Sequence, residues 1–142
     1  MSARRKGPKA APAPRPARVN PRTDYHGIIV EEGLRDCSIA DAVRVLGRKQ
    51  GKDWSLLRVG VEAKLLPRVI QRLQRSLKVE NGVPFYAHFY RFGELIVVFP
   101  DRVFRLTPQK DTWGPALAYG RSVGVPLAQL DFEPHRFEDE ND

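Results

Sequence analysis

The sequence predicts an α+β fold: a two-layer sandwich with a mainly antiparallel sheet of four or five strands and about three helices, in the order β-α-β-α-β-β-β-α. Two observations carry this expectation. The stretch "PFYAHFYRFGELIVVFPDRVFRLT", 84–107, is rich in aromatic and β-branched residues and is cut by the turn pairs Phe92-Gly93 and Pro100-Asp101, the signature of an antiparallel meander. Leu66, Val69, Ile70, Leu73 and Leu77 recur at the helical period. Strands and helices mixed in this way favour helices packed on one sheet.

In chain order, "HGIIVEEG" (26–33) reads as a short strand or extended lead-in. The segment 38–51, "SIADAVRVLGRKQG", reads as a helix. Ser38 is its N-cap, Asp41 sits favourably at the positive helix end, Ile39, Ala42, Val43 and Leu46 carry the spacing, and Gly51 stops it. "WSLLRVGV" (54–61) alternates Leu57, Val59 and Val61 with Arg58 and Gly60, as a strand does. A second helix is expected over 64–78, with Pro67 tolerated in its first turn and "ENG" ending it. Strands at 84–91, 94–99 and 102–107 follow. A last helix is expected over 111–123, with Asp111 as cap and Gly124 and Pro126 as terminators. Residues 127–137 should pack back on the body as an extended or irregular segment.

Charge is segregated. Of 24 basic residues, seven lie in 1–22 with no acid beside them, so the rest of the chain balances its 17 acids with seventeen bases. Residues 1–22 are Pro/Ala/Arg-rich and too poor in large apolar side chains to offset the entropy of ordering, which predicts a disordered arm. A single domain is expected over 23–137, and "EDEND", 138–142, forms an acidic tip.

The composition also excludes several classes of function. The longest apolar run, "LIVVF" at 95–99, is far short of the ~20 residues of a membrane span. No apolar stretch follows the basic N-terminus as it would in a signal peptide, so a cytoplasmic protein is expected. The single Cys37 excludes a disulfide framework and a Cys-rich zinc site; placed before a helix start, it has no evident chemical partner. His26, His88 and His135 lack zinc-ligand spacing, and no phosphate loop, dinucleotide fingerprint or nucleophile elbow is present. No metal or cofactor is expected.

Three features remain as candidates. Tyr86, His88 and Tyr90 share one face of a strand, with Arg58 and Arg105 expected beside them. Aromatic rings next to guanidinium groups suit stacking of unpaired bases, although such rings also serve as ordinary cross-strand partners. Arg68, Arg72 and Arg75 continue from Lys64 as a basic ridge opposite the apolar stripe. Arg4, Arg5, Lys6 and Lys9 give the arm its polyanion affinity. A weaker row, Asp131, Glu133 and His135, places acid and base groups on alternate positions. The sequence therefore points first to a non-catalytic module binding RNA or single-stranded nucleic acid. The alternative is a protein-interaction or self-assembling module using the aromatic face, and a small-molecule enzyme using His88 or the acidic row comes third.

Overall fold

In the computed structural model, residues 24–36 and 38–132 are described; the basic arm 1–22, Cys37 and the acidic tip 138–142 lie outside them. Eight strands run in chain order: β1 (Tyr25–Val30), β2 (Arg44–Gln50), β3 (Ser55–Val61), β4 (Val79–Glu80), β5 (Val83–Pro84), β6 (Ala87–Arg91), β7 (Glu94–Val98) and β8 (Val103–Leu106). Six of them form one antiparallel sheet in the order β2-β3-β1-β6-β7-β8, and β4 and β5 form a separate two-stranded ribbon. Among the described residues there are only two α-helices, α1 (Leu66–Ser76) and α2 (Gly114–Ser122). The expected two-layer sandwich with four or five strands and three helices is thereby corrected to a larger sheet with fewer helices. Moreover, the helices lie on opposite faces, because α1 shares a core with Ile29, Val59 and Phe89, whereas α2 shares one with Ile28, Val97 and Phe104.

The first expected helix accounts for most of the difference. Only Ser38–Asp41 makes a single 3-10 turn, and Arg44–Gln50 is an edge strand. Asp36, rather than Ser38, caps the turn: its Oδ1 accepts the Ser38 N–H at 2.9 Å, and hydrogen bonds from Ser38 hold the Asp36 carboxyl below its ordinary range. Ile39, Ala42 and Val43 still reach the core beside α1, which is why their spacing resembled a helix. The chain then extends because Gly51 closes a turn, donating its N–H to the Trp54 carbonyl at 2.8 Å, and this turn folds 44–50 back on β3. Val45, which is β-branched, and Gly47 lower the helical preference of the same stretch. Leu46 falls in a bulge between Val45 and Gly47.

The apolar stripe of α1 is buried at Leu66, Val69, Ile70 and Leu73, with Leu77 just beyond its end, and Pro67 lies in the first turn, where no helix hydrogen bond is lost. Beyond α1, "ENG" proves to be the turn of the β4–β5 ribbon. Asn81 and Gly82 both have positive φ, +55° and +79°, the pairing that a type I′ hairpin turn requires. At the other end of the sheet, Trp113 Nε1 donates to the Thr107 carbonyl at 2.8 Å and ties the start of α2 to the end of β8. Asp111, the expected cap, is exposed and does not cap α2. Among the described residues, no helix is long and apolar enough to cross a membrane.

Among the end residues of β1, β6 and β7, the Tyr25 hydroxyl donates to Glu94 Oε1 at 2.7 Å and Arg91 Nε donates to Oε2 at 2.6 Å. Burial alone would raise the Glu94 pKa, but these two hydrogen bonds and the charges of Arg91 and Arg105 outweigh it and hold the carboxyl low.

At the centre, Gly27 is opposite both Val59 and Phe89. A Cβ at 27 would meet the Phe89 ring at 2.5 Å and Val59 Cγ2 at 3.0 Å. Gly27→Ala is therefore expected to lower stability by about 1–3 kcal/mol, the usual cost of overpacking, read as a reduced urea midpoint. Adding Phe89→Leu should cost less in the Gly27→Ala background than in the wild type.

Candidate functional site

The two faces of the sheet are chemically different, and register defines them. On the α1 face, Gly27 is flanked by Val59 and Phe89, and Phe89 pairs with Ile96, which pairs with Arg105. On the opposite face, Ile28 lies between Arg58 and His88, and His26 lies between Gly60 and Tyr90. Thus Arg58 does share a face with His88 and Tyr90, as expected, but Arg105 does not. It is exposed on the α1 side.

The aromatic row is not an open platform. His88 and Tyr90 are only 6% and 3% exposed. Phe132, fully buried, stacks edge-on against Tyr86 and His88 at centroid distances of 5.3 and 6.4 Å. His26 approaches Tyr90 edge-on at 5.8 Å. The ridge Arg68, Arg72 and Arg75 is exposed on α1, on the far side of the sheet from this row, where it lines a depression of about 460 Å³ together with Asp41. The structure therefore separates the expected backbone-binding arginines from the expected stacking rings. Arg4, Arg5, Lys6 and Lys9 lie outside the described residues, as do Glu133 and His135 of the acidic row.

The cover over the aromatic row comes from the chain that follows α2. Gly124, at φ +98°, reverses the chain there. The Val125 N–H donates to the Gly120 carbonyl and the Gly124 N–H to that of Arg121, the two bonds of a Schellman cap. Leu130 then packs against Gly120, where a Cβ would meet its Cδ2 at 2.6 Å. Finally the Tyr86 hydroxyl clasps the segment, donating to the Gln129 carbonyl at 2.5 Å and accepting the Asp131 N–H at 3.1 Å. Burial, and secondarily the Asp131 charge, push the Tyr86 pKa up to about 12.

Between this segment, the β4–β5 ribbon and the sheet lies a cleft of about 530 Å³. Its floor is Ile28, Val30, Leu56 and His88. One wall is the ribbon from Glu80 to Pro84, and the other is Val125, Ala128, Gln129 and Asp131, with Trp54 and Phe85 also lining it. The two rings pack edge to face at 5.3 Å. A concave, mainly apolar site with a few convergent polar groups is the usual form of a small-molecule site. Among the described residues, no group of three or more His, Cys, Asp or Glu side chains is placed to hold a metal ion.

Sequence reasoning singled out Tyr86, His88 and Asp131 but not the cleft that contains them. The signal that was there to read is "VENGVP", 79–84, whose Asn-Gly pair marks the hairpin forming one wall. Ile28, Leu56 and Val125 carry no comparable mark, since each reads as ordinary core.

Because the Tyr86 hydroxyl holds the wall through backbone groups, Tyr86→Phe is expected to free the Asp131 amide to exchange faster with solvent, at a cost of about 0.5–1.5 kcal/mol in stability. Hydrogen exchange resolved at Asp131, beside a thermal melt, checks both. Compared with known proteins, the chain matches no family model, no curated protein and no solved structure.

Proposed function

We propose that this protein is a binding module for a small apolar ligand, seated in the cleft between the sheet, the β4–β5 ribbon and the segment after α2. One observation carries the reading: the cleft has about 530 Å³ of space, within the ~300–1,000 Å³ typical of ligand pockets. Its lining is mainly aliphatic and aromatic, with polar side chains at Glu80, Asn81, His88, Gln129 and Asp131. Such a lining rewards removal of apolar surface from water and leaves orientation to a small number of contacts. A neutral fluorescent probe, phenylnaphthylamine, should bind with a blue-shifted, enhanced emission. Ala128→Trp, placed at an exposed wall position, should fill the cleft without disturbing the core and weaken the probe at least about tenfold, or 1.4 kcal/mol. Absence of binding to the native protein would refute the reading.

A second reading follows from the depression on α1. There Arg68, Arg72 and Arg75 converge on about 460 Å³ of space, an arrangement suited to phosphates of RNA or single-stranded nucleic acid. This reading does not use the rings of Tyr86, His88 and Tyr90. Full-length protein should then lose affinity for labelled single-stranded RNA when the three arginines become glutamine, with a shallower salt dependence in anisotropy titrations. Unchanged affinity and slope in that variant would dismiss the ridge.

A further inference from the structure

We infer that the depression on α1 selects a phosphomonoester, a terminal phosphate group with nearly two negative charges, over the singly charged phosphates that bridge nucleotides. This deepens the reading of that depression as a phosphate-binding surface and rests on it. The group is the same on the end of a strand and on a free nucleotide.

The helix itself sets the charges. α1 reads "LPRVIQRLQRS", with three arginines and no acid. Arg68, Arg72 and Arg75 stand at i, i+4 and i+7, so they share one face within about 10 Å of axial rise. Like charges at these spacings repel one another. Arg68 adds to the cost, because it lies in the first turn, where the positive end of the helix dipole disfavours a cation; Arg75, in the last turn, is the one the dipole favours. A solvated face ordinarily intersperses acids among its bases, and this one does not. Among the described residues, none of the three arginines is engaged in an ion pair or a hydrogen bond. Asp36 feels the charge of Arg72, but less than the hydrogen bonds from Ser38 that hold its carboxyl.

The same three residues line one concavity, of about 460 Å³, with Asp41, Ala42, Leu65 and Val69. Ile39 and Val69 are buried in one core and Ala42 and Leu65 pack against it, so the turn Ser38–Asp41 is fixed beside α1. The apolar floor of Ala42, Leu65 and Val69 gives the arginines no competing side-chain acceptor. Three guanidinium groups against one carboxylate leave the lining two positive charges in excess. A phosphomonoester matches that excess, since it offers three terminal oxygens and close to two negative charges, and a bridging phosphate offers fewer of both. Guanidinium forks pair with phosphate oxygens two at a time, so several arginines can serve one such group. Asp41 weakens the attraction for any anion, and the attraction that remains grows with the charge of the ligand.

The test uses the full-length protein and two short single-stranded RNAs of one sequence, labelled at the 3′ end and differing only in a 5′-phosphate or a 5′-hydroxyl. Both meet the basic arm equally, so the difference between their anisotropy titrations isolates the end group. The phosphorylated strand is expected to bind about tenfold more tightly. Arg72→Gln, in the middle of the ridge, should remove most of that preference, and Asp41→Asn should widen it severalfold. Arg68→Gln, at an exposed position, should narrow the preference without lowering the melting temperature, because it relieves repulsion on α1; a residue that served only the fold would do the reverse. Adenosine 5′-monophosphate, added as competitor, identifies the source. Displacement at concentrations matching the strand assigns the group to a free nucleotide, and displacement only in large excess assigns it to a strand end. Equal affinity of the two strands, or a preference that survives Arg68→Gln/Arg72→Gln/Arg75→Gln, overturns the inference; the ridge reading then stands if that triple variant still binds both strands more weakly. If neither strand binds, or if the triple variant leaves both affinities and their salt dependence unchanged, the ridge reading fails and takes this inference with it.

Discussion

Gly27 and Phe89 face each other across the β1–β6 pair, and the Phe89 ring occupies the volume that a side chain at 27 would need. Much depends on this contact because of where β1 lies in the sheet. In the order β2-β3-β1-β6-β7-β8, β1 alone joins the β2–β3 hairpin to the β6-β7-β8 meander. The first strand of the described chain must therefore wait for β6, some sixty residues later, before its second edge is paired, so the sheet closes through non-local contacts. Once it has closed, Ile29, Val59, Phe89 and α1 form one core while Ile28, Val97, Phe104 and α2 form the other.

The cleft is a consequence of lengths. Six strands at ~4.8 Å spacing make a sheet roughly 24 Å wide, while α2, with nine residues, is only about 13 Å long. It covers β7 and β8, where Tyr119 packs against Phe99 and Phe104, and it cannot reach β2 and β3. The segment after Gly124 extends the cover as far as His88 and Tyr86, and the β4–β5 ribbon meets it at Val83, 3.0 Å from where a Gly124 Cβ would stand. Beyond that line the sheet face carries Arg44, Lys49 and Arg58 rather than aliphatic residues, as an uncovered edge should. The boundary between covered and uncovered sheet is where the apolar floor of the cleft ends.

Tyr86 has two roles in this arrangement. Its ring packs on Phe99 and Phe132 as part of the core, and its hydroxyl fixes the backbone of the wall at Gln129 and Asp131. Burial of the ring and anchoring of the wall are thus coupled in one residue. The alternation of "FYAHFY" marks this side of the strand as polar-tipped, but Tyr86 and His88 meet the C-terminal segment and Tyr90 meets His26 instead of solvent.

By itself the sequence determined the elements whose signals are local. The stripe from Leu66 to Leu77 specifies α1 because its period matches 3.6 residues, and the paired turns at Phe92-Gly93 and Pro100-Asp101 specify the meander because they set hairpin register. Arg58, His88 and Tyr90 were placed on one face by strand alternation alone. What only tertiary structure decided is the rest: that 44–50 is a strand, that Arg105 faces α1, that the arginine ridge and the aromatic row lie on opposite sides of the sheet, and that a cleft exists. Each depends on which element packs on which face. Ile39, Ala42 and Val43 meet the core whether the chain beyond them coils or extends, so their spacing could not choose between helix and strand; pairing with β3 made the choice. Likewise an alternating strand states that its two faces differ, but which face is covered, and how far, is set by the length and placement of helices elsewhere in the chain.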